Sequence, residues 1–187
     1  MLEAANLKQG IFIKKDNDIF RVIETEIKTG QARFSSHVHA RLQNVRTGKI
    51  MDIKLAPEEK LEDISVEIIT LEYLYSEGEN FCFMNPQTYE QFEVPSHMIG
   101  NFKKFLKEGT SLKFELYEGM PVNVIIPETI ELKVVSTGTG LKGDADATYK
   151  SAVLENNMEI LVPQFIRVGD VIKVSTTTGQ YVERVHK

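Results

Sequence analysis

The chain has 187 residues, of which 42% are hydrophobic, a net charge of −5 and a single cysteine, Cys82. One cysteine excludes an internal disulfide and a thiolate metal cluster, and no apolar run approaches the roughly 20 residues of a membrane helix. The N-terminus also lacks the basic and apolar stretches of a secretory signal, so a cytoplasmic protein that does not bind membranes is expected. The acidic net charge argues against a general nucleic-acid-binding protein.

The first part of the chain predicts short β-strands joined by polar turns. Two apolar runs between residues 11 and 28 flank a turn at Asp16 to Asp18, and a second turn is expected at Thr47-Gly48. Residues 37–44 alternate in character, so that His37, His39 and Arg41 are expected on one face and Val38, Ala40 and Leu42 on the other. The charged residues 57–63 predict a break near a domain boundary.

The central part predicts a small barrel with one helix. Residues 66–94 contain three strand-like runs, with turns at Glu77-Gly78 and Asn85-Pro86. Residues 95–109 predict a helix that ends at Gly109, with an apolar stripe at helical spacing. A hairpin turning at Glu118-Gly119 follows, and this inventory is typical of an OB-type barrel.

The last part predicts a second small barrel without a long helix. Its strands are expected at residues 129–135, 158–162, 170–175 and 180–185. The glycines between 138 and 143 match G-x-G-x-x-G, but no helix follows them to bind a pyrophosphate, so they predict a glycine-rich connection. The predicted domains are residues 1–64, 65–127 and 128–187.

No motif indicates catalysis or a cofactor. His37 and His39 share a strand face, but the sequence offers no third ligand with a recognisable motif, so no metal is expected. Cys82 lies between two phenylalanines without a cationic neighbour, which predicts a packed thiol. Since no Ser–His–Asp signature or Walker loop occurs, the protein is not expected to be an enzyme.

A basic segment stands out against the acidic average. Residues 28–54 contain six basic residues and one acidic residue, Asp52, which gives +5, whereas residues 65–127 contain four basic and nine acidic residues, which gives −5. Arg33 is the only charge between Thr29 and Ser36. A lone guanidinium on a hairpin tip can hydrogen-bond phosphates or stack on bases, so the loop is a candidate RNA-binding site.

Several blocks of the sequence together resemble one family. They are "LKQGIFI", "RLQNVRTGK", "LEYLYSEGENFCFMNPQTYEQFEV", "LYEGMPVNVIIPETIELKVVSTGTGLKGD" and "VPQFIRVGDVIKVSTTTGQYVERV". Their order, spacing and glycines are similar to those of bacterial translation elongation factor P over nearly the whole chain.

The resemblance implies a mainly β protein of three small barrels in an L shape. An SH3-like (KOW-type) domain would be followed by two OB-folds, with one short helix in the second domain. It further implies a monomer that binds the 70S ribosome, its ribosomal RNA and the peptidyl-tRNA. There it would promote peptide bond formation at consecutive prolines by positioning the CCA end with the loop tip of the first domain.

At the tip this chain departs from the family's usual K-P-G-K-G-x-A-F. Its loop lacks the proline and is two residues longer, and counting back from "RLQN" places Arg33 where the family carries a modified lysine. The resemblance therefore implies that Arg33 contacts peptidyl-tRNA, either bare or rhamnosylated by a glycosyltransferase. The remaining RNA contacts expected on the loop and hairpin are Lys28, Gly30, Gln31, Ala32, Phe34, Ser35, His37, His39 and Arg41.

Two alternatives remain open from the sequence. The altered tip is also compatible with a paralogue of the factor that has a different stall-motif preference. A generic OB-fold protein that binds single-stranded nucleic acid is the other alternative, but it requires exposed aromatic side chains on a basic groove. Most of the aromatic residues instead lie in the acidic segment 65–127.

Overall fold

The computed structural model describes residues 1–28, 36–138 and 148–185. Within these residues the protein is mainly β, with three curled sheets and one short α-helix, and it contains KOW-like and OB domains. The Cα atoms group into two compact units, one formed by residues 1–70 and 113–124 and the other by residues 71–112 and 125–187. The three predicted domain boundaries stay a prediction.

The first sheet has six strands in the order β1-β6-β2-β3-β4-β5. In chain order they are β1 (Leu2–Glu3), β2 (Phe12–Lys15), β3 (Asp18–Lys28), β4 (His37–Asn44), β5 (Ile50–Leu55) and β6 (Lys60–Asp63). A 3-10 turn at Ala4–Asn6 follows β1. Neighbouring strands pair antiparallel throughout.

The turn between β2 and β3 confirms the sequence prediction. Asp16 and Asn17 both have positive φ, 51° and 67°, and Lys15 pairs with Asp18. Two positive φ values in a two-residue loop define a type I′ turn, whose twist matches that of the strands, and Asn and Asp tolerate this conformation better than most residues.

One side of this sheet forms a closed apolar core. Alternate residues of its strands point to this side, as a period of two requires. The buried members are Ala4, Leu7, Ile13, Phe20, Val22, Val38, Ala40, Leu42, Leu55 and Leu61.

The charged segment 57–63 is a break only in its first half, because residues 57–59 lie outside the strands whereas the rest forms a strand that the sequence did not predict. Residues Lys60–Asp63 form β6, which pairs with β1 on one side and β2 on the other. Leu61 is its only buried residue, whereas its charged neighbours are exposed. A single apolar residue within five charged ones gives too weak an alternation to be recognised from sequence.

The second sheet has five strands in the order β11-β10-β7-β8-β9. They are β7 (Glu67–Glu77), β8 (Asn80–Met84), β9 (Gln91–Pro95), β10 (Ser111–Tyr117) and β11 (Met120–Ile125). The predicted turns at Glu77-Gly78, Asn85-Pro86 and Glu118-Gly119 are confirmed, since each lies between two of these strands.

The predicted helix is present but differs in type and length. The α-helix α1 spans only Ser96–Ile99, and a 3-10 helix continues over Gly100–Phe105, so the helix stops before Gly109. Gly100 has φ 58°, which interrupts the α-helical ladder. The buried side chains Ile99, Phe102 and Phe105 recur every three residues, and this spacing matches the 3.0 residues per turn of a 3-10 helix. No described helix is long and apolar enough to cross a membrane.

The third sheet has five strands in the order β14-β13-β12-β15-β16. They are β12 (Thr129–Thr137), β13 (Tyr149–Leu154), β14 (Glu159–Pro163), β15 (Val171–Ser175) and β16 (Tyr181–Arg184). The sequence prediction missed β13, in which only Ala152 and Leu154 are buried. Of the glycine-rich segment, Gly138 follows β12 and residues 139–143 lie outside the described residues.

A carboxylate in the second unit bridges two of its segments. Glu155, which follows β13, accepts a hydrogen bond from the backbone N–H of Lys133 at 3.0 Å and forms an ion pair with the Nζ of Lys107 at 2.9 Å. Burial alone would raise the pKa of this carboxyl, but the Lys107 ammonium and the Lys133 N–H hold the pKa of Glu155 below its ordinary value.

This bridge predicts a pH-dependent loss of stability in Glu155→Gln. Because the folded-state pKa is lowered, the charged carboxylate stabilises the fold above its unfolded value near 4.5, and that contribution is lost as the pH falls through the folded value. We expect the variant to lose up to about 1 kcal/mol at pH 7. Urea unfolding at a series of pH values downward from 7 checks this, and a deficit that does not shrink as the pH falls would contradict it.

Candidate functional site

The candidate site is the hairpin of β3 and β4, which carries the predicted tip loop. The two strands pair from Phe20↔Asn44 to Lys28↔His37, with a bulge between Val22 and Glu24. Eight residues, 29–36, therefore connect the strands after their last pair. The predicted loop residues Gly30, Gln31, Ala32, Arg33, Phe34 and Ser35 lie outside the described residues.

The hairpin is supported unevenly along its length. On one side, β2 pairs with β3 only over Asp18 to Arg21, so the later part of β3 has passed the end of β2. On the other side, β5 pairs with β4 as far as Val38↔Leu55. The hairpin expected from the sequence is therefore part of a three-stranded arrangement up to this pair, and among the described residues only the pair Lys28↔His37 lies beyond it.

The two faces of the hairpin are separated as the alternation predicted. Val38, Ala40 and Leu42 are completely buried, so this face of β4 packs in the core. His37 and His39 are half-buried on the opposite face, and Arg41 is exposed there. The structure thus brings three of the predicted hairpin residues to one outer face, and Lys28 lies at their end as the cross-strand partner of His37.

The outer face carries carboxylates as well as cations. The Nε of Arg41 lies 3.3 Å from Asp52 Oδ1, and its Nη1 lies 3.8 Å from Glu24 Oε2. The Nζ of Lys28 lies 3.4 Å from Glu26 Oε2. The net charge of +5 counted along residues 28–54 therefore does not describe this face, because β3 places Glu24 and Glu26 beside its cations.

The groups of this face also line one shallow pocket. Its members are Glu24, Glu26, Lys28, His39, Arg41 and Asp52. Each ion pair is about half exposed, and such pairs contribute at most about 1 kcal/mol and weaken with salt. Lys28 and Arg41 can therefore exchange a carboxylate for an RNA phosphate at small cost, but they do not form an unopposed basic patch.

Sequence reasoning missed Glu24, Glu26 and Lys54 as members of this face. Lys54 pairs with His39 across β4 and β5, and Glu26 pairs with His39 across β3 and β4. Cross-strand register could have revealed them, since residues directly opposite on paired strands share a face. The bulge near Val22 shifts this register by one residue, however, and no local sequence signal marked it.

The remaining candidates for chemistry are a metal site and the thiol of Cys82. Among the described residues, no three His, Cys, Asp or Glu side chains come together in a way that could hold a metal ion. Cys82 is buried, as predicted, and its thiol lies 3.8 Å from the Oε1 of Gln91. A hydrogen bond with this thiol raises the pKa of the Tyr75 hydroxyl.

Three family profiles match consecutive parts of the chain. The profile described as elongation factor P KOW-like domain matches residues 3–61, the elongation factor P OB domain matches residues 66–124, and the elongation factor P C-terminal profile matches residues 130–184. Together they cover nearly the whole sequence.

Full-length relatives agree with the profiles. The chain is 39% identical over 185 residues to elongation factor P of Fervidobacterium nodosum and 40% identical over 186 residues to that of Thermus thermophilus. Each alignment covers 98% of this chain and 100% of the relative. Among solved structures, eukaryotic translation initiation factor 5A from Methanococcus jannaschii matches with a TM-score of 0.50 at 16% identity, over 66% of this chain and 92% of that one, which is a likeness of fold.

Proposed function

The chain belongs to the elongation factor P family of translation elongation factors, and on that premise we propose that it acts on the ribosome beside the peptidyl-tRNA. There it promotes peptide bond formation and relieves stalling at consecutive prolines. The observation that carries this proposal is the match to elongation factor P along the full length of both chains.

The hairpin supplies the structural part of the proposal. Its strands are held in a sheet by β5 and by the buried side of β4, and they present the ends of the tip loop at Lys28 and His37. A loop fixed at both ends by a rigid sheet loses less conformational freedom on binding than a loop on a flexible chain. In this proposal the loop brings Arg33 to the CCA end of the peptidyl-tRNA.

The proposed mechanism is positioning and not proton transfer. A guanidinium held against the tRNA backbone would restrict the peptidyl-prolyl end, so that the geometry needed for attack is sampled more often. Positioning of this kind lowers a barrier by several kcal/mol, and by about 7–11 kcal/mol in ideal cases. The ribosome then makes the bond, and the factor itself is proposed to be neither an enzyme nor dependent on a cofactor.

Partners and location follow from the same proposal. The protein acts in the cytoplasm as a monomer, and its contacts are the 70S ribosome, ribosomal RNA and peptidyl-tRNA. Arg33 is either bare or rhamnosylated by a glycosyltransferase. Intact-mass spectrometry of the protein from its native host, followed by mapping of the peptide 29–41, distinguishes the two states.

Translation of a proline-rich reporter tests the proposed function. We expect the purified protein, added to a reconstituted translation system without elongation factor P, to increase synthesis through three consecutive prolines about tenfold or more, the gain that about 1.4 kcal/mol of barrier lowering gives. A reporter of the same length without prolines is the control and should change little. Equal effects on both reporters, or no effect on either, would refute the proposal.

A further inference from the structure

Two turns of the third sheet contact the helical segment, residues 96–107, within the second unit. One is the β13–β14 turn, residues 155–158, and the other is the β15–β16 turn, residues 176–180. Both the helical segment and these turns belong to the same compact unit. The first turn makes an ion pair and a hydrogen bond to the segment, and the second lies beside the side chain of Lys104.

Glu155 makes the central contact. Its Oε2 pairs with Lys107 Nζ at 2.9 Å, while its Oε1 accepts the backbone N–H of Lys133 on β12 at 3.0 Å. The side chain is only 27% exposed, less than any other carboxylate that forms an ion pair in the described chain except Asp170. A carboxylate that receives a charged donor and a backbone donor on separate oxygens is held in one orientation, and charge-assisted hydrogen bonds of this kind are the stronger ones.

Two further contacts both involve Lys104. The Nδ2 of Asn156 donates to the carbonyl oxygen of Lys104 at 3.1 Å. On the second turn, the Lys104 ammonium lies beside Gly179, 3.6 Å from the position that a Cβ would take there, and Met158 lies on the same side. The helical segment is thus contacted at both Lys104 and Lys107.

From these contacts we infer that Glu155 is a positioning residue that locks the helical segment to the third sheet, so that the two move as one body. A sheet joined to its neighbour only by the chain between β11 and β12 would be free to reorient, and this freedom would be lost on binding any large partner. The Glu155 bridge, defined as Glu155 with Lys107 and the Lys133 N–H, removes that freedom in advance. Its value for ribosome binding rests on the proposed function, whereas the lock itself is a property of the free protein.

Spin-label distances in the full-length protein test the lock. Cys82→Ser removes the native thiol, and cysteines at the exposed positions Glu90 and Arg167 place one label on each side of the bridge. Pulsed electron paramagnetic resonance should give one narrow distance distribution in this background. With Glu155→Gln or Lys107→Met added, we expect the distribution to become about twofold wider, because the restraint between the two segments is lost.

The controls separate locking from general damage. Glu108→Gln removes an exposed carboxylate directly after the helical segment and should leave the width unchanged. The double variant Lys107→Met with Glu155→Gln should be no wider than Glu155→Gln alone, because both substitutions remove the same contact. A lowered melting temperature with an unchanged width in both single variants would overturn the inference, since Glu155 would then support only its own sheet through Lys133.

Failure of the lock and failure of the proposed function remain distinguishable. The distance measurement uses the purified protein alone, so its outcome does not depend on any activity in translation. If the wild-type protein relieves proline stalling but the distances do not respond to Glu155→Gln, only the lock is wrong. If the distances respond but the wild-type protein relieves no stalling, only the proposed function is wrong.

Discussion

Replacing Arg33 with glutamate is expected to abolish the relief of proline stalling while the protein folds normally. The variant reverses the charge at the residue proposed to contact the tRNA backbone, so attraction to phosphate becomes repulsion. A contribution of about 1.4 kcal/mol to positioning corresponds to a loss of about tenfold in the rate of the stalled step, which cancels the gain expected of the wild-type protein. The measurement is synthesis of the three-proline reporter in the presence of saturating variant protein.

Matched substitutions show whether the expected loss of activity is due to the change at position 33 or only to the change in overall charge. Arg46→Glu makes the same charge change on the turn between β4 and β5, at an exposed side chain that pairs with Asp18 at 3.3 Å. This variant should retain most of the activity. Arg33→Lys keeps the charge but removes the planar guanidinium. If Arg33→Glu supports synthesis as well as the wild-type protein does, the assignment of the tip is wrong.

Replacing Leu42 with alanine is expected to produce the largest loss of stability. Leu42 is completely buried in the core of the first sheet, on β4, the second strand of the hairpin. Removing its side chain leaves a cavity that the surrounding strands can fill only in part, and such changes cost about 2–5 kcal/mol. Urea unfolding, followed by a probe in the first unit, measures the change.

Met51→Ala is the matched control for this variant. Met51 lies directly opposite Leu42 on β5 but is 40% exposed. Truncating it removes little buried area, so the free energy of unfolding should change by about 0.5 kcal/mol, as is usual for surface positions. A loss for Leu42→Ala no greater than that for Met51→Ala would contradict the described core.

The parts of the fold that local chemistry decides were predictable. The Asp16-Asn17 turn has residues that tolerate positive φ, and β4 alternates so regularly that the order of its residues is enough to assign its buried face. The resemblance to elongation factor P, carried by blocks along the whole chain, indicated the family and the mainly β class, and the profiles and relatives confirmed both.

The wrong predictions concern segments in which the sequence pattern was weak, or in which it was compatible with two types of helix. The apolar stripe within residues 95–109 predicted one helix ending at Gly109, whereas the buried Ile99, Phe102 and Phe105 follow the period of three that suits the shorter 3-10 helix that forms. β13 was missed because small and polar residues precede its buried Leu154. In β6 one leucine among charges was not enough to indicate a strand.

The charge of the candidate site could not be predicted by counting charged residues over consecutive positions of the sequence. Glu24 precedes Arg41 by seventeen positions in sequence, and only the pairing of β3 with β4 brings their side chains together. A count over a window of consecutive residues omits such cross-strand neighbours. The assignment of Arg33 rests on counting along the family's loop, and it stays a prediction.

The single cysteine is buried, so its chemical reactivity can be used to measure local opening of the fold. Cys82 is 6% exposed within the second sheet, and alkylating reagents reach a shielded thiol only when the strands around it separate. Its rate of alkylation, compared with that of a fully unfolded chain, therefore counts how often this barrel opens under conditions in which the protein remains folded. No fluorophore or isotope has to be introduced for such a measurement.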